Sequence, residues 1–258
     1  MACVARLASP RLASSAVMTP SIPRTFVCLS GAWMGGWSWT FVADRLRAAG
    51  HIVFTPTFRG LAERAHELSA ETSNESCVDD AIACLADNDL RDVVLVGHSF
   101  GSLIAGLVVD RAPGYASHLV IIDGGIPRDG QSIFGRIPQH IADKRQRLAT
   151  EINGVKVLPF APVTSLIIDD SDLAQWTHRQ LTPHPLRCYV DPIRLHNPPG
   201  NGVPMTYIAC VKPRYPVSAG NHERVQAMPD VRFRPIEAGH NCIISAPDLV
   251  AAELLAVP

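Results

Sequence analysis

Lysine is almost missing from this chain: Lys144, Lys156 and Lys212 are its only lysines, and every other basic residue apart from histidine is arginine. Carboxylates are missing in places too. None precedes Asp44, and none occurs between residues 205 and 220, which read MTYIACVKPRYPVSAG. The 7 cysteines include no C-x-x-C pair, so the paired ligands of a structural zinc site are absent from the sequence and no metal is expected. Their odd number, and the apolar runs around Cys28 and Cys210, suit buried thiols in a reducing, cytoplasmic compartment. No apolar run is long enough to span a bilayer. A formal net charge of -1 gives no electrostatic basis for nucleic acid or an anionic membrane as partner. What is present is a chain with 47% hydrophobic and 18% charged residues, suited to one large globular domain or one domain with an insertion.

Residues 1–24 carry Arg6, Arg11 and Arg24, several serines and no acid. That composition matches a transit peptide, but the plainer reading, a disordered extension or a start at Met18, is preferred. From residue 25 the rhythm changes. Apolar, β-branched runs at 25–30, 51–56, 92–97, 118–123, 205–211 and 231–238 read as strands buried on both faces of a parallel sheet. Helical patterns at 37–48, 74–87, 100–111, 218–227 and 246–256 lie between them. Strand–helix alternation of this kind predicts a doubly wound α/β fold, built from 25–125 and 204–258. Residues 126–203 break the pattern with nine prolines and helix-like pieces such as IADKRQRLATEI and DLAQWTHRQL. A structureless loop of that length is improbable, so the segment is expected to be a helical cap over the strand ends.

Gly97-His98-Ser99-Phe100-Gly101 stands where an apolar strand meets a small-residue helix. In that context G-x-S-x-G predicts a tight turn that projects the Ser99 hydroxyl, with glycines where side chains would strike the neighbouring elements. The helix N-terminus beneath it favours developing negative charge. The loop SGAWMGGWSW after the first strand is the second half of the pattern. Its backbone can offer Ala32 N–H, beside Phe100 N–H, to an oxyanion. Trp33 is expected to line the pocket, and Trp37 and Trp39 to pack inward. Among 10 histidines, His51 and His118 precede strands and fall at the wrong sheet edge, and His140, His178, His184 and His196 lie in the cap. His240, in PIEAGHN just past the last strand, can reach the strand C-termini, where sites of open α/β sheets lie, and can exchange a proton with Ser99.

With SGAWMGGWSW, GHSFGS at 97–102 and AGHN at 239–242 in view, the chain over 24–257 resembles the α/β-hydrolase superfamily. More narrowly it is similar to small capped esterases, a group that includes plant methyl esterases and hydroxynitrile lyases. IDGGIPRDGQS and QWTHRQLTPHPL look like bacterial members. The resemblance implies an acyl-transfer enzyme without cofactor. It also marks two departures. Ser30 stands where the family usually has a histidine that braces the oxyanion loop, so the hole could differ in shape. The expected triad acid falls on the turn Lys212-Pro213-Arg214, which has no carboxylate.

Chain order restricts a substitute acid to residues 100–239. Asp110 and Asp230 belong to the far sheet edge, Asp129, Asp143, Glu151, Asp169, Asp170, Asp172 and Asp191 to the cap or its hinge, Glu237 is too close to His240 in sequence, and Glu223 reads as exposed. Asp123 remains, at the end of the strand beside that of Ser99, where some lipases of the superfamily place their acid. Related bacterial sequences carry an aspartate here as well as the usual acid, which suggests a structural hinge. Two alternatives stay open: a Ser–His dyad, or an acid not foreseen.

The reading is a serine hydrolase of an ester or lactone with a small to medium apolar body. Ser99, His240 and Asp123 are catalytic, Ala32 and Phe100 form the oxyanion hole, and Trp33, Phe134, Ile137, Trp176 and Leu181 shape the pocket. The alternative is a lyase, cyclase or cofactor-free oxygenase on the same scaffold, with His240 as base. The only partner expected is a small-molecule substrate; a homodimer is compatible with the sequence.

Overall fold

The apolar runs become strands because both of their faces are buried. The computed structural model describes residues 22–160, 162–215 and 217–258, so the extension expected over 1–24 lies outside the described residues up to residue 21. In chain order the strands are β1 (Thr25–Leu29), β2 (Ile52–Phe54), β3 (Val93–His98), β4 (Ala116–Ile122), β5 (Thr150–Ile152), β6 (Val155–Leu158), β7 (His184–Pro185), β8 (Met205–Cys210) and β9 (Val231–Ile236). The α-helices are α1 (Thr40–Ala48), α2 (Asn74–Asp87), α3 (Phe100–Arg111), α4 (Gln139–Arg147), α5 (Ser171–Arg179), α6 (Arg187–Val190), α7 (Ala219–Gln226), α8 (Cys242–Ser245) and α9 (Pro247–Leu255).

Six strands form the main sheet in the order β2-β1-β3-β4-β8-β9, every pair parallel. Side chains alternate across it. Phe26, Cys28, Val94, Val96, Val120, Ile122 and Ile208 join one core with α1 and α9. Val27, Leu29, Val93, Leu95, Leu119, Ile121 and Tyr207 join the other with α2 and α3. In α3 only Arg111 escapes burial, because the helix lies between the sheet and its neighbours. Helix α2 begins at a reciprocal Ser73–Ser76 capping box, which satisfies two N-terminal amides. No described helix is long and apolar enough to cross a membrane.

Residues 126–203 contribute α4, α5, α6 and a second, antiparallel sheet in the order β5-β6-β7. This corrects the helical reading of IADKRQRLATEI. Its last residues are β5, because Asn153-Gly154 takes left-handed φ values of 50° and 80° and turns the chain back into β6. Asn-Gly is the strongest short hairpin signal, and here it overrides the helical periodicity before it.

Candidate active site

Five loops at the C-terminal edges of β1, β3, β4, β8 and β9 converge on one cavity of about 440 Å³. Ser99 sits between β3 and α3 with φ 53° and ψ -114°, a backbone strain that a nucleophile turn stores. The turn closes only because its glycines lack side chains. A Cβ on Gly97 would stand 2.4 Å from Gly101 O, and one on Gly101 2.2 Å from Leu29 O. Ser102 Oγ donates to Gly97 O at 2.7 Å and locks the bend.

His240 lies in the loop after β9. Its Nε2 is 2.9 Å from Ser99 Oγ, and its Nδ1 is 2.6 Å from Asp123 Oδ2. Two contacts hold the ring and its loop. Tyr215 stacks on the imidazole at 4.3 Å between centroids, and His98 Nε2–H donates to the His240 carbonyl at 2.7 Å. Burial pushes the His98 pKa down to about 3, so this residue stays neutral and acts as a fixed donor. The sequence offered His98 only as a variable position of G-x-S-x-G.

Asp123 directly follows β4 in a left-handed conformation, φ 46°, and its carboxylate is fully buried. Four donors surround it. Oδ1 meets His222 Nε2–H at 2.5 Å and Cys210 N–H at 3.3 Å, while Oδ2 meets His240 Nδ1–H and the Ser218 hydroxyl, the latter at 3.1 Å. Burial alone would raise the carboxyl pKa, but the hydrogen bonds and charges of His222 and His240 outweigh it and hold the group at about 2. Asp123 is thus an anion at any working pH, and its bond to Nδ1 leaves Nε2 of neutral His240 free to accept a proton.

The acid-free turn after β8 does other work. Pro213 packs beneath Gly239, and Tyr215, immediately after the turn, supplies the stacking face for His240. Ser218 and His222, at i and i+4, both aim at Asp123. Sequence reasoning missed both. The available signal was their common helical face just beyond a turn that lacks a carboxylate. Glu237 is exposed and pairs with Lys212, and Asp110 receives the His196 and Asn197 N–H groups at the far edge.

Ala32 N–H and Phe100 N–H have no acceptor among the described residues, and both residues line the cavity beside Ser99. Ser30 Oγ donates to Gly35 O at 2.8 Å, and Ser38 Oγ reaches the same carbonyl at 2.9 Å. This serine pair braces the loop where the family has a histidine. Trp33 lines the cavity and latches the loop to the cap. Its N–H donates to His184 Nδ1 and its indole N–H to Leu158 O.

Ile137 and Leu181 line the cavity, but Phe134 and Trp176 do not. Phe134 is buried against Tyr189, which takes the expected place on the wall. Trp176 faces α1 and packs on Trp37 and Phe41 at 5.5 Å, so Trp37, which also packs against the core, joins it to the cap helix α5. Trp39 is fully buried. Among the described residues, no group of three His, Cys, Asp or Glu side chains is arranged to hold a metal ion.

Comparison with known proteins places the chain in a family. The profile of the Alpha/beta hydrolase family matches residues 26–253. A carbendazim-hydrolyzing esterase of Nocardioides sp. (strain SG-4G) is 31% identical over 180 residues, covering 66% of this chain and 73% of its own. A probable esterase of Oryza sativa subsp. indica is 31% identical over 109 residues, 41% of each chain. Among solved structures, an extracellular alpha/beta-hydrolase from a Paenibacillus species superposes with a TM-score of 0.77 at 22% identity, covering 91% of this chain and 98% of that one. At that identity the likeness concerns the fold.

Proposed function

The chain belongs to the alpha/beta hydrolase family and is an ester-cleaving serine hydrolase; we propose that Ser99, His240 and Asp123 perform the cleavage through an acyl-enzyme. The observation that carries this reading is a single imidazole placed between Ser99 Oγ at 2.9 Å and Asp123 Oδ2 at 2.6 Å. His240 Nε2 takes the Ser99 proton as Oγ attacks the ester carbonyl. The resulting oxyanion is held by Ala32 and Phe100 N–H, each donor of this kind contributing about 2.7–4 kcal/mol to lowering the barrier. Asp123 stabilises the imidazolium, which then protonates the departing alkoxide. Water enters with His240 again as base, the acyl–Ser99 bond breaks, and a carboxylic acid leaves. His222 acts on this chemistry through Asp123.

The cavity wall is mostly apolar, with Leu103, Ile133, Ile137, Leu166 and Leu181 around the reacting atoms, which suits a small to medium apolar body on the ester. The acid-free turn Lys212-Pro213-Arg214 and Ser30 favour base-only chemistry by His240, whereas the 2.6 Å contact between Asp123 and His240 Nδ1 supports hydrolysis. Six free cysteines among the described residues support a reducing, cytoplasmic setting.

A fluorophosphonate probe tests the reading. Mass spectrometry of the tryptic peptides is expected to place the adduct on Ser99, in parallel with loss of activity toward a 4-nitrophenyl alkanoate. An intact Ser99 in fully inactivated enzyme would reject the mechanism.

Two further expectations concern the histidines. His222→Gln is expected to lower kcat by about 10-fold, the scale of one hydrogen bond to a charged group, with KM little changed because His222 does not line the cavity. An unchanged kcat, or a change confined to KM, would show that His222 does not position Asp123. The pH profile of kcat/KM should carry no limb from Asp123 or His98 above pH 4. Asp123 at about 2 and His98 at about 3 have already lost their protons there. A limb of slope two would contradict this.

A further inference from the structure

The charged residues on the cavity wall are Asp123, Arg136 and Arg145. Asp123 is consumed by His222 and His240. The two arginines form no ion pair among the described residues, and residues 1–21, Ala161 and Pro216 include no Asp or Glu. Arg145 lies over Trp33 and donates to the Tyr215 hydroxyl at 3.1 Å. Arg136 is the more unusual. It sits against Gly125, where a Cβ would stand 2.6 Å from Nη2, and its one acceptor among the described residues is Ile126 O at 2.8 Å.

Arg224 Nη2 approaches the same carbonyl at 3.3 Å. Two guanidinium groups therefore share one oxygen, and Arg128 adds its positive charge nearby. Nε of Arg128 and Nε of Arg224 are buried without an acceptor among the described residues. Asp129, beside them in the chain, accepts Leu195 N–H and forms no ion pair. Burial first, then the charges of Arg128 and Arg224, drive the Arg136 pKa down to about 10. Like charges gathered in a partly desolvated site are costly unless an anion joins them. A guanidinium meets a carboxylate with two parallel hydrogen bonds.

We infer that Arg136 forms a carboxylate subsite of the ester pocket, so that the substrate is an apolar ester bearing a carboxylate on one arm. Arg128 and Arg224 stand behind Arg136 and raise the positive potential it presents. The inference rests on the ester-hydrolase reading for its reaction, but the subsite is a matter of binding and can be tested apart from turnover.

In kinetics, 4-nitrophenyl monoesters of glutarate, adipate and pimelate are compared with 4-nitrophenyl alkanoates of equal length. Acetates of ω-hydroxy acids are compared with alkyl acetates to probe the alcohol arm. At least one carboxylate-bearing series is expected to exceed its neutral partner by about 10-fold in kcat/KM, the scale of a charge-assisted pair. The ratio should collapse toward one in Arg136→Gln, survive in part in Arg136→Lys, and shrink at high salt. In calorimetry, hexanoate should bind about 10-fold more tightly than hexanamide, and Arg136→Gln should remove the difference. A ratio lost in Arg145→Gln but kept in Arg136→Gln overturns the assignment. So does preference for the neutral member in both series together with equal binding of hexanoate and hexanamide. If no ester of either series is cleaved, the hydrolase reading fails, and the calorimetric comparison still decides the subsite.

Discussion

The Ser99→Ala protein is expected to hydrolyse a 4-nitrophenyl alkanoate about 10⁴- to 10⁶-fold more slowly than the parent, with its melting temperature nearly unchanged. The loss is large because the neighbouring serines of the turn and of the Asp123 cluster cannot replace the nucleophile. Ser102 Oγ is committed to Gly97 O inside the turn, and Ser218 stands on the far side of the imidazole, against Asp123. The residual rate would come from the two oxyanion donors and from His240 acting on water. Stability should hold because alanine keeps the Cβ and suffers the same φ of 53° that serine does. Steady-state kinetics and a thermal melt on one preparation check both statements. Activity within 10-fold of the parent would mean that Ser99 is not the nucleophile, and chemistry by His240 alone would then lead.

Asp123→Asn should cost about 10⁴-fold in kcat, comparable to the loss of the orienting acid in other triads. The cause is specific to this carboxylate, which accepts from a histidine on each oxygen. An amide offers one acceptor and one donor, so it can bond only one of the two imidazoles in its present tautomer. If the donor faces His240, Nδ1 must become the acceptor, and the proton moves to Nε2, where it blocks uptake of the Ser99 proton. If the donor faces His222 instead, that ring must carry its proton on Nδ1, and the neutral amide oxygen left to His240 no longer stabilises the imidazolium. Substitution by alanine would also leave buried donors unpaired, at about 1–3 kcal/mol each.

Stability carries a second signature of the same residue. The folded carboxyl titrates at about 2 and an unfolded one near 3.9. Its stabilising effect is therefore complete above the unfolded value and disappears as pH falls through the folded one. Between about pH 4 and pH 2, the parent should lose stability more steeply than Asp123→Asn. Chemical denaturation across that range measures the difference, and parallel curves would show that Asp123 is not held as an anion. A full-rate Asp123→Asn would support a dyad or a different acid.

The strands and their order of alternation with helices were legible because each core run is apolar on both faces, as a covered parallel sheet requires. The placement of Ser99 and His240 at one edge followed from the same source. Each directly follows a strand, and parallel strands deliver their C-terminal loops to one side. The Asn153-Gly154 hairpin was equally legible, and helical periodicity masked it. Asp123 was reachable only by combining chain order with strand neighbours, since its own motif has another plausible use as a hinge.

Several features could not be read that way. His222 and Ser218 stand about a hundred residues from Asp123 in sequence, and they meet it only because β4 pairs with β8 and α7 returns across their ends. Phe134 and Trp176 fell away from the cavity because the docking of the cap decides which face of each segment looks inward. Arg128, Arg136 and Arg224 carry no pattern in sequence at all, and their crowding around Ile126 O exists only in the folded chain. The sequence by itself determined the backbone: periodicity, glycine turns and strand ends are local and act through sterics and burial. The tertiary structure alone decided which distant polar groups share a low-dielectric space, and that sharing sets the proton affinities and charge balance on which the chemistry depends.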